Sequence, residues 1–384
     1  MTFELATAGR IIFGEGVLDL AGSLAVELGS RVLAVGGGTP ARIEPLLALL
    51  ADVGLPVSTI AIPSEPSVES ALHGREQASD FGADLVIGMG GGSAIDAAKA
   101  IAALLTNPGD PFEYLDVIGR GRPLSNPAAP LIAIPTTAGT GAEVTRNAVL
   151  AAPHQRVKVS LRHLSMLPRV ALVDPVLTYE VSQAVTASTG LDALTQCLEP
   201  FVSHLATPLT DGFCREGMRR AAGALRRAFH DGSDVAARRD MALASLCGGL
   251  ALANAKLGAV HGFAAPIGGM FDAPHGAVCA RLLPYVMEAN VRALQERAPE
   301  SQALARYQEV ATLLTGNPDA RVADGVAWVQ ALGEELAVPG FATYGMSNRD
   351  IPNILEKAMA SSSMKGNPIT LTGSELSEVL MQAF

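Results

Sequence analysis

A chain of 384 residues is longer than one hydrophobic core usually serves, so two domains are expected. Apolar residues make up 49% and charged ones 17%, yet no apolar run reaches the roughly 20 residues of a membrane-spanning helix, so a soluble protein is expected. The net charge of −10 argues against wrapping a polyanion, because sequence-independent nucleic-acid binding depends on Lys and Arg displacing counterions.

The opening residues, MTFELATAGRIIFGEG, include the acidic Glu4 and lack a long apolar stretch before a small-residue cleavage site. No secretory signal is read there, and a cytoplasmic location is expected. Further along, short aliphatic runs at 31–35, 57–62, 83–88 and 131–135 are predicted strands, and amphipathic stretches at 18–28, 43–53, 68–81 and 95–105 are predicted helices. Strands alternating with helices argue for a parallel sheet wrapped by helices. The pattern changes at LVDPVLT (172–178), where Asp174-Pro175 interrupts any regular element and a hinge is expected.

Beyond Ser182 the chain reads as long helices rich in Ala, Leu, Glu and Arg, broken by turns at PIGG (266–269), DAPHG (272–276) and TGNPDA (315–320). The basic cluster RRAAGALRR (219–227) is read as a solvated helix face. Cys197, Cys214, Cys247 and Cys279 form no CxxC pair, which fits free thiols in a reducing compartment. Any metal is therefore expected on other ligands.

Three segments carry chemistry. In DLVIGMGGGSAIDAAKA (84–100) a buried strand runs into glycines and then a helix, so backbone N–H groups near Gly91, Gly92 and Ser93 can meet a phosphate, although the run departs from GxGxxG. In LIAIPTTAGTGAEVT (131–145), Thr136, Thr137 and Thr140 add hydroxyls at another strand end, either for phosphate and ribose or simply as a helix cap. In HGFAAPIGGMFDAPHG (261–276), His261 and His275 stand 14 residues apart, with Asp192 upstream in TGLDALTQ. Imidazoles plus a carboxylate suit zinc or ferrous iron, while the plain alternative is a pair of capping or loop histidines.

Taken together, GGGSAIDAAK, IPTTAGTGAEVT, ALVDPVLT, TGLDALT and HG…PHG resemble the iron-containing, or group III, alcohol dehydrogenases, and the likeness runs from RIIFGEG (10–16) to KGNPITLT (365–372). The resemblance implies an α/β fold of the dehydroquinate synthase-like type: a Rossmann-like parallel-sheet nucleotide-binding domain over 1–180 and an all-helical metal-binding and catalytic domain over 181–384, with a catalytic cleft between them. It implies NAD(P)(H), one divalent metal (Fe²⁺ or Zn²⁺), hydride transfer between an alcohol and an aldehyde or ketone, and a homodimer without nucleic-acid or membrane partners. Carried over by position, Asp192, His261 and His275 are metal ligands with Gln196 the fourth, and Asn147 shares the substrate pocket. Gly91, Gly92, Ser93 and Asp96 take the pyrophosphate side, Thr136, Thr137 and Thr140 the phosphates and adjacent ribose, and Lys158 the nicotinamide ribose. Val149 and Leu177 pack on cofactor rings.

The chain departs from the family pattern at four places. Gln196 stands where a histidine is common, and its amide reads equally as a ligand or as a hydrogen-bonding partner of substrate or water. Ala265 replaces a histidine thought to relay a proton, leaving solvent, bound water, His163 or Lys365 as sources. Glu65-Pro66 replaces Asn-Pro. Gly36, Gly37, Gly38 and Thr39, followed by Arg42, stand where NAD-preferring members place an aspartate, which leans the cofactor towards NADP(H). The pocket floor is expected to include Phe263, Ala265, Phe271 and the 363–365 turn. An inward Lys365 or Arg162 would favour an acidic carbonyl, as in the related maleylacetate reductases. The rivals are a non-redox, NAD- and metal-using cyclase of the dehydroquinate synthase kind and a non-catalytic dinucleotide-binding protein. The apolar surroundings of the histidines speak against the first, and the joint presence of Asp192, His261, His275 and the nucleotide segment against the second.

Overall fold

The computed structural model describes residues 2–155 and 157–384. They form two units: an α/β unit of residues 5–137 and 141–179, and a helical unit of residues 180–384 with the short segment 138–140 and the chain's first residues. In the α/β unit the elements follow as β1 (Arg10–Phe13), α1 (Ala21–Leu28), β2 (Val32–Gly37), α2 (Glu44–Asp52), β3 (Val57–Ile62), α3 (Val68–Phe81), β4 (Leu85–Gly90), α4 (Gly92–Thr106), β5 (Leu131–Pro135), β6 (Asn147–Ala152), β7 (Val157–Arg162) and β8 (Val170–Val173).

Six strands make one sheet in the order β1-β8-β5-β4-β2-β3, with every neighbouring pair parallel. Both faces of the inner strands β2, β4, β5 and β8 are covered, which is why these four read as unbroken apolar runs. On β2, Val32 and Ala34 pack with Leu24 of α1 and Leu46 and Leu50 of α2, while Leu33 and Val35 pack with Ala97, Ala98 and Ile101 of α4. Each such buried aliphatic side chain contributes about 1.5–3 kcal/mol.

The expected strands at 57–62 and 131–135 coincide with β3 and β5. Those expected at 31–35 and 83–88 run two residues further, because a ladder needs only backbone groups and continues through the register pairs Gly36 with Met89 and Gly37 with Ile62. Missing from the sequence reading are the short strands β1 and β8 and the antiparallel hairpin β6–β7. The hairpin is anchored to α4 by a buried lysine, described below.

The helical unit contains α5 (Gln183–Val202), α6 (Pro208–His230), α7 (Val235–Ala255), α8 (Ala259–Phe271), α9 (His275–Arg297), α10 (Gln302–Thr315), α11 (Val322–Glu335), α12 (Ile351–Ala360) and α13 (Gly373–Gln382). Its architecture matches the expected all-helical C-terminal half. One expected turn is wrong: PIGG lies inside α8, with Pro266 in mid-helix. The proline removes one backbone donor, but Val260, Phe263, Ala264 and Ile267 are buried on both sides of it and hold the two halves in one helix. Among the described residues no single helix is long and apolar enough to cross a membrane. The arginine cluster lies on α6 and is paired, Arg219 and Arg220 with Glu216, Arg226 with Glu335 and Arg227 with Asp234.

Candidate active site

The metal site is assembled within the helical unit by three helices. Ser182 caps α5, which then carries Asp192 two and a half turns along. His261 lies in the first turn of α8, and His275 opens α9 after the short connection in which Asp272 takes φ 51°. That left-handed aspartate ends α8 abruptly, a conformation that costs a non-glycine residue on the order of 1 kcal/mol. Asp192 Oδ1 stands 3.3 Å from His261 Nε2 and 3.8 Å from His275 Nε2. Burial opposes ionisation of Asp192, but His275, His261 and the Gln196 amide outweigh it and hold the carboxyl below its ordinary value.

Two buried oxygens here, Asp192 Oδ1 and Gln196 Oε1, accept no hydrogen bond. An orphaned buried acceptor is costly, and two beside a pair of imidazoles fit a site for a cation. The donor set therefore suits the divalent ion that the sequence implies. Asp192 and His261 are almost wholly buried, whereas the His275 side chain is 36% exposed, so His275 marks the side open to solvent.

Glu199, two helical turns after Asp192 on α5, is a functional residue that the sequence reading missed. Its Oε2 lies 2.7 Å from His261 Nδ1, and its Oε1 accepts the Val260 N–H at 2.7 Å. The carboxylate thus caps the start of α8 and orients the imidazole so that Nε2 is left for a metal. The i, i+7 spacing of Asp192 and Glu199 was the available signal. Asn367 stabilises the same helix start through Ala259 and is held in turn by Asn290, itself bonded to Tyr307.

Cysteine was expected to stay out of the site, and here the structure differs. Cys279 Sγ lies 3.7 Å from His261 Nε2 and 3.8 Å from His275 Nε2, and the donor atoms of Asp192, His261, His275 and Cys279 all fall within 4.8 Å of one another. The sequence signal was its position one helical turn after His275. Burial pushes the Cys279 thiol up to about 12; Asp192 and Glu199 add to the shift and His261 opposes it.

In the α/β unit, the strand order reverses between β2 and β4, the point at which open parallel sheets bind ligands. The glycines gather there. A side chain at Gly90 would meet Ala94 Cβ at 2.6 Å and the Gly37 nitrogen at 3.4 Å, so the end of β4 packs against α4 and β2 because Gly90 is bare. Gly91 precedes α4 and gives it no side-chain cap, leaving the N–H groups of Gly92 and Ser93 ahead of the helix's own hydrogen bonds. From β5, Thr136 donates its N–H to the Gly90 carbonyl at 2.9 Å, and Thr137 Oγ1 lies beside Gly91. Thr140 groups instead with the helical unit. Gly36 and Gly37 close β2, Gly38 and Thr39 follow, and Thr39 opens a short 3-10 turn that ends at Arg42.

Asp96 and Lys99 face the hairpin. Lys99, wholly buried, donates to Thr145 Oγ1 at 2.7 Å and to the Asn147 carbonyl at 3.0 Å, and stands 3.7 Å from Asp96. Asp96 Oδ2 accepts the Val149 N–H at 3.0 Å. Burial drives Asp96 up and Lys99 down, with their mutual attraction opposing both shifts. Lys158 on β7 is ion-paired with Glu65. Leu177 packs against the core on the α1 and α2 face of the sheet. Phe263 lies fully in the helical core and not at a surface, Ala265 is more open, and His163 Nδ1 bonds Ser165 to cap its own turn. Both Arg162 and Lys365 are exposed.

A parallel six-stranded sheet followed by a helical unit with an Asp/His/His metal site defines a class of two-unit, metal-dependent enzyme. Residues 8–175 match the iron-containing alcohol dehydrogenase family and residues 186–384 the C-terminal part of the Fe-containing alcohol dehydrogenase family. The 1,3-propanediol dehydrogenase of Klebsiella pneumoniae is 32% identical across 100% of this chain and 99% of its own length. The NADPH-dependent butanol dehydrogenase of Clostridium saccharobutylicum is 31% identical over 96% of this chain and 95% of its own. A crystal structure of a 1,3-propanediol oxidoreductase superposes with a TM-score of 0.92 at 30% identity, with 100% of both chains covered. This chain belongs to the iron-containing alcohol dehydrogenase family, and it is an NAD(P)-dependent alcohol dehydrogenase whose metal site is built on Asp192, His261 and His275.

Proposed function

We propose that the enzyme interconverts a small neutral alcohol and its aldehyde, using NADP(H) in preference to NAD(H). The observation that carries the substrate reading is the absence of Lys and Arg from α8: none stands anywhere in Ala259–Phe271, where His261 lies and Ala265 is the more open residue. An acidic carbonyl would lack a charge-assisted partner there. The relatives named for 1,3-propanediol and butanol support the same choice.

A divalent ion held by Asp192, His261 and His275, with Gln196 as the expected fourth group, supplies Lewis acidity to the substrate oxygen. The chain does the positioning. Glu199 fixes the His261 ring, and the negative charge of Asp192 is set against two imidazoles. On the nucleotide side, Gly91, Gly92 and Ser93 offer backbone donors to the pyrophosphate, and Thr136, Thr137 and Thr140 offer hydroxyls to phosphate and ribose. Asp96 and Lys99 position the hairpin that presents Asn147 and Val149, Lys158 reaches the nicotinamide ribose, and Leu177 packs at the cofactor rings. Beside the packed Gly36 and Gly38, Gly37 is open and leaves room for a 2′-phosphate near Thr39, with Arg42 as its cation. With Ala265 unable to carry a proton, the alkoxide proton comes from solvent on the open side of His275. We further propose a cytoplasmic homodimer; the four free, buried cysteines fit a reducing compartment.

The test is metal content of the purified protein before and after anaerobic loading with Fe²⁺ or Zn²⁺, together with oxidation of NADPH and NADH against neutral and acidic aldehydes. Metal-dependent turnover of neutral aldehydes, faster with NADPH, is the expected result. Turnover confined to acidic carbonyls would favour a maleylacetate-reductase-like activity, and failure to retain metal under any loading would overturn the site's assignment.

A further inference from the structure

We infer that the strong fourth donor to the ion is the thiolate of Cys279, which makes this an O/N/N/S site suited to zinc. The inference rests on the metal reading above and concerns which side chains complete it. Four measured separations link the donors: 3.3 and 3.8 Å from Asp192 Oδ1 to the two histidines, and 3.7 and 3.8 Å from Cys279 Sγ to the same two atoms. The donor atoms all lie within 4.8 Å of one another, close enough for one ion to touch all four and keep a further position for the substrate oxygen on the open side of His275.

The cysteine does not stand alone. Asp192 Oδ1 and Gln196 Oε1 are buried acceptors with no hydrogen bond, and both residues are at most 2% exposed. They point to a cation independently of the sulfur. Gln196 brings a neutral hard oxygen, whereas Cys279 brings a charged soft donor, and a thiolate with two imidazoles selects zinc over ferrous iron. On binding, the Cys279 S–H bond breaks, the proton leaves to solvent and a sulfur lone pair bonds the ion; no electrons change hands. Gln196 is then left to hydrogen-bond Asp192 and to supply at most a weak oxygen.

The full-length protein loaded with Co²⁺, a spectroscopic substitute for zinc, tests this. Visible d–d bands together with a near-ultraviolet sulfur-to-metal charge-transfer band are expected in the unmodified protein. Cys279→Ser keeps the d–d bands and loses the charge-transfer band, while Gln196→Ala keeps both. X-ray absorption at the zinc edge gives a sulfur neighbour at about 2.3 Å in the unmodified protein. Bound Co²⁺ with d–d bands but no charge-transfer band, or a zinc shell without sulfur, overturns the thiolate and leaves the Asp/His/His site standing. Failure to bind either ion stoichiometrically overturns both.

Discussion

Glu199 shows how much of a metal site lies one bond away from the ligands. Its two oxygens are divided between the His261 ring and the start of α8, so Glu199→Gln keeps the acceptor for Val260 while weakening the hold on Nδ1. Zinc affinity, measured by chelator competition, should fall about 10- to 100-fold with little change in thermal stability. An unchanged affinity would show that the ring is fixed by packing alone. A second buried acid, Glu143, makes a pH prediction. Burial raises its carboxyl to about 7, against an ordinary 4.5, despite opposition from a backbone hydrogen bond and Lys99. Between those values the folded state binds more protons than the unfolded one, so this group's contribution to stability declines as pH rises from about 4.5 through 7. Glu143→Gln should remove that decline and stabilise the protein at pH 8 by about 1–3 kcal/mol in denaturant titrations. A variant with an unaltered pH–stability curve would show that Glu143 is ionised at no cost.

At the scale of elements, the start of α4 separates fold from function within two adjacent glycines. Gly90→Ala drives a methyl into Ala94 and should destabilise the α/β unit by about 1–3 kcal/mol. Gly91 has ordinary φ and ψ of −71° and −175°, and a methyl there meets only Thr137 at 3.4 Å. Gly91→Ala should therefore fold normally yet raise the KM for cofactor at least about tenfold, by filling the space in which a phosphate approaches backbone N–H groups. Equal KM values would place the pyrophosphate elsewhere. On the neighbouring loop, Arg42→Ala should raise the KM for NADPH more than that for NADH. The same scale shows where sequence patterns mislead. α8 absorbs Pro266 because its buried face spans the proline, whereas β6 and β7 escaped notice because their alternation of buried and half-buried residues lies among Thr, Pro and His that read as loop.

For the whole molecule, the four candidate donors lie in the helical unit and the glycine loops in the α/β unit. Loading zinc should slow amide exchange in α5, α8 and α9, by about 2.7 kcal/mol at 100 times the dissociation constant, and leave β2 and β4 unaffected. Uniform protection of both units would show that the ion stabilises the chain globally. The sequence by itself determined the alternating and then all-helical architecture, because apolar periodicity follows directly from how strands and helices bury their faces. It also offered glycine-bearing strand ends as candidates for a phosphate and, through the family resemblance of TGLDALT and HG…PHG, the three ligands Asp192, His261 and His275. Only the tertiary structure decided that Glu199 stands behind His261, that Asp96 and Lys99 face the hairpin, and that Cys279 lies beside His261. Those contacts join helices and strands far apart in the chain, and a spacing pattern within one element shows which side chains share a face but not which neighbour that face will meet.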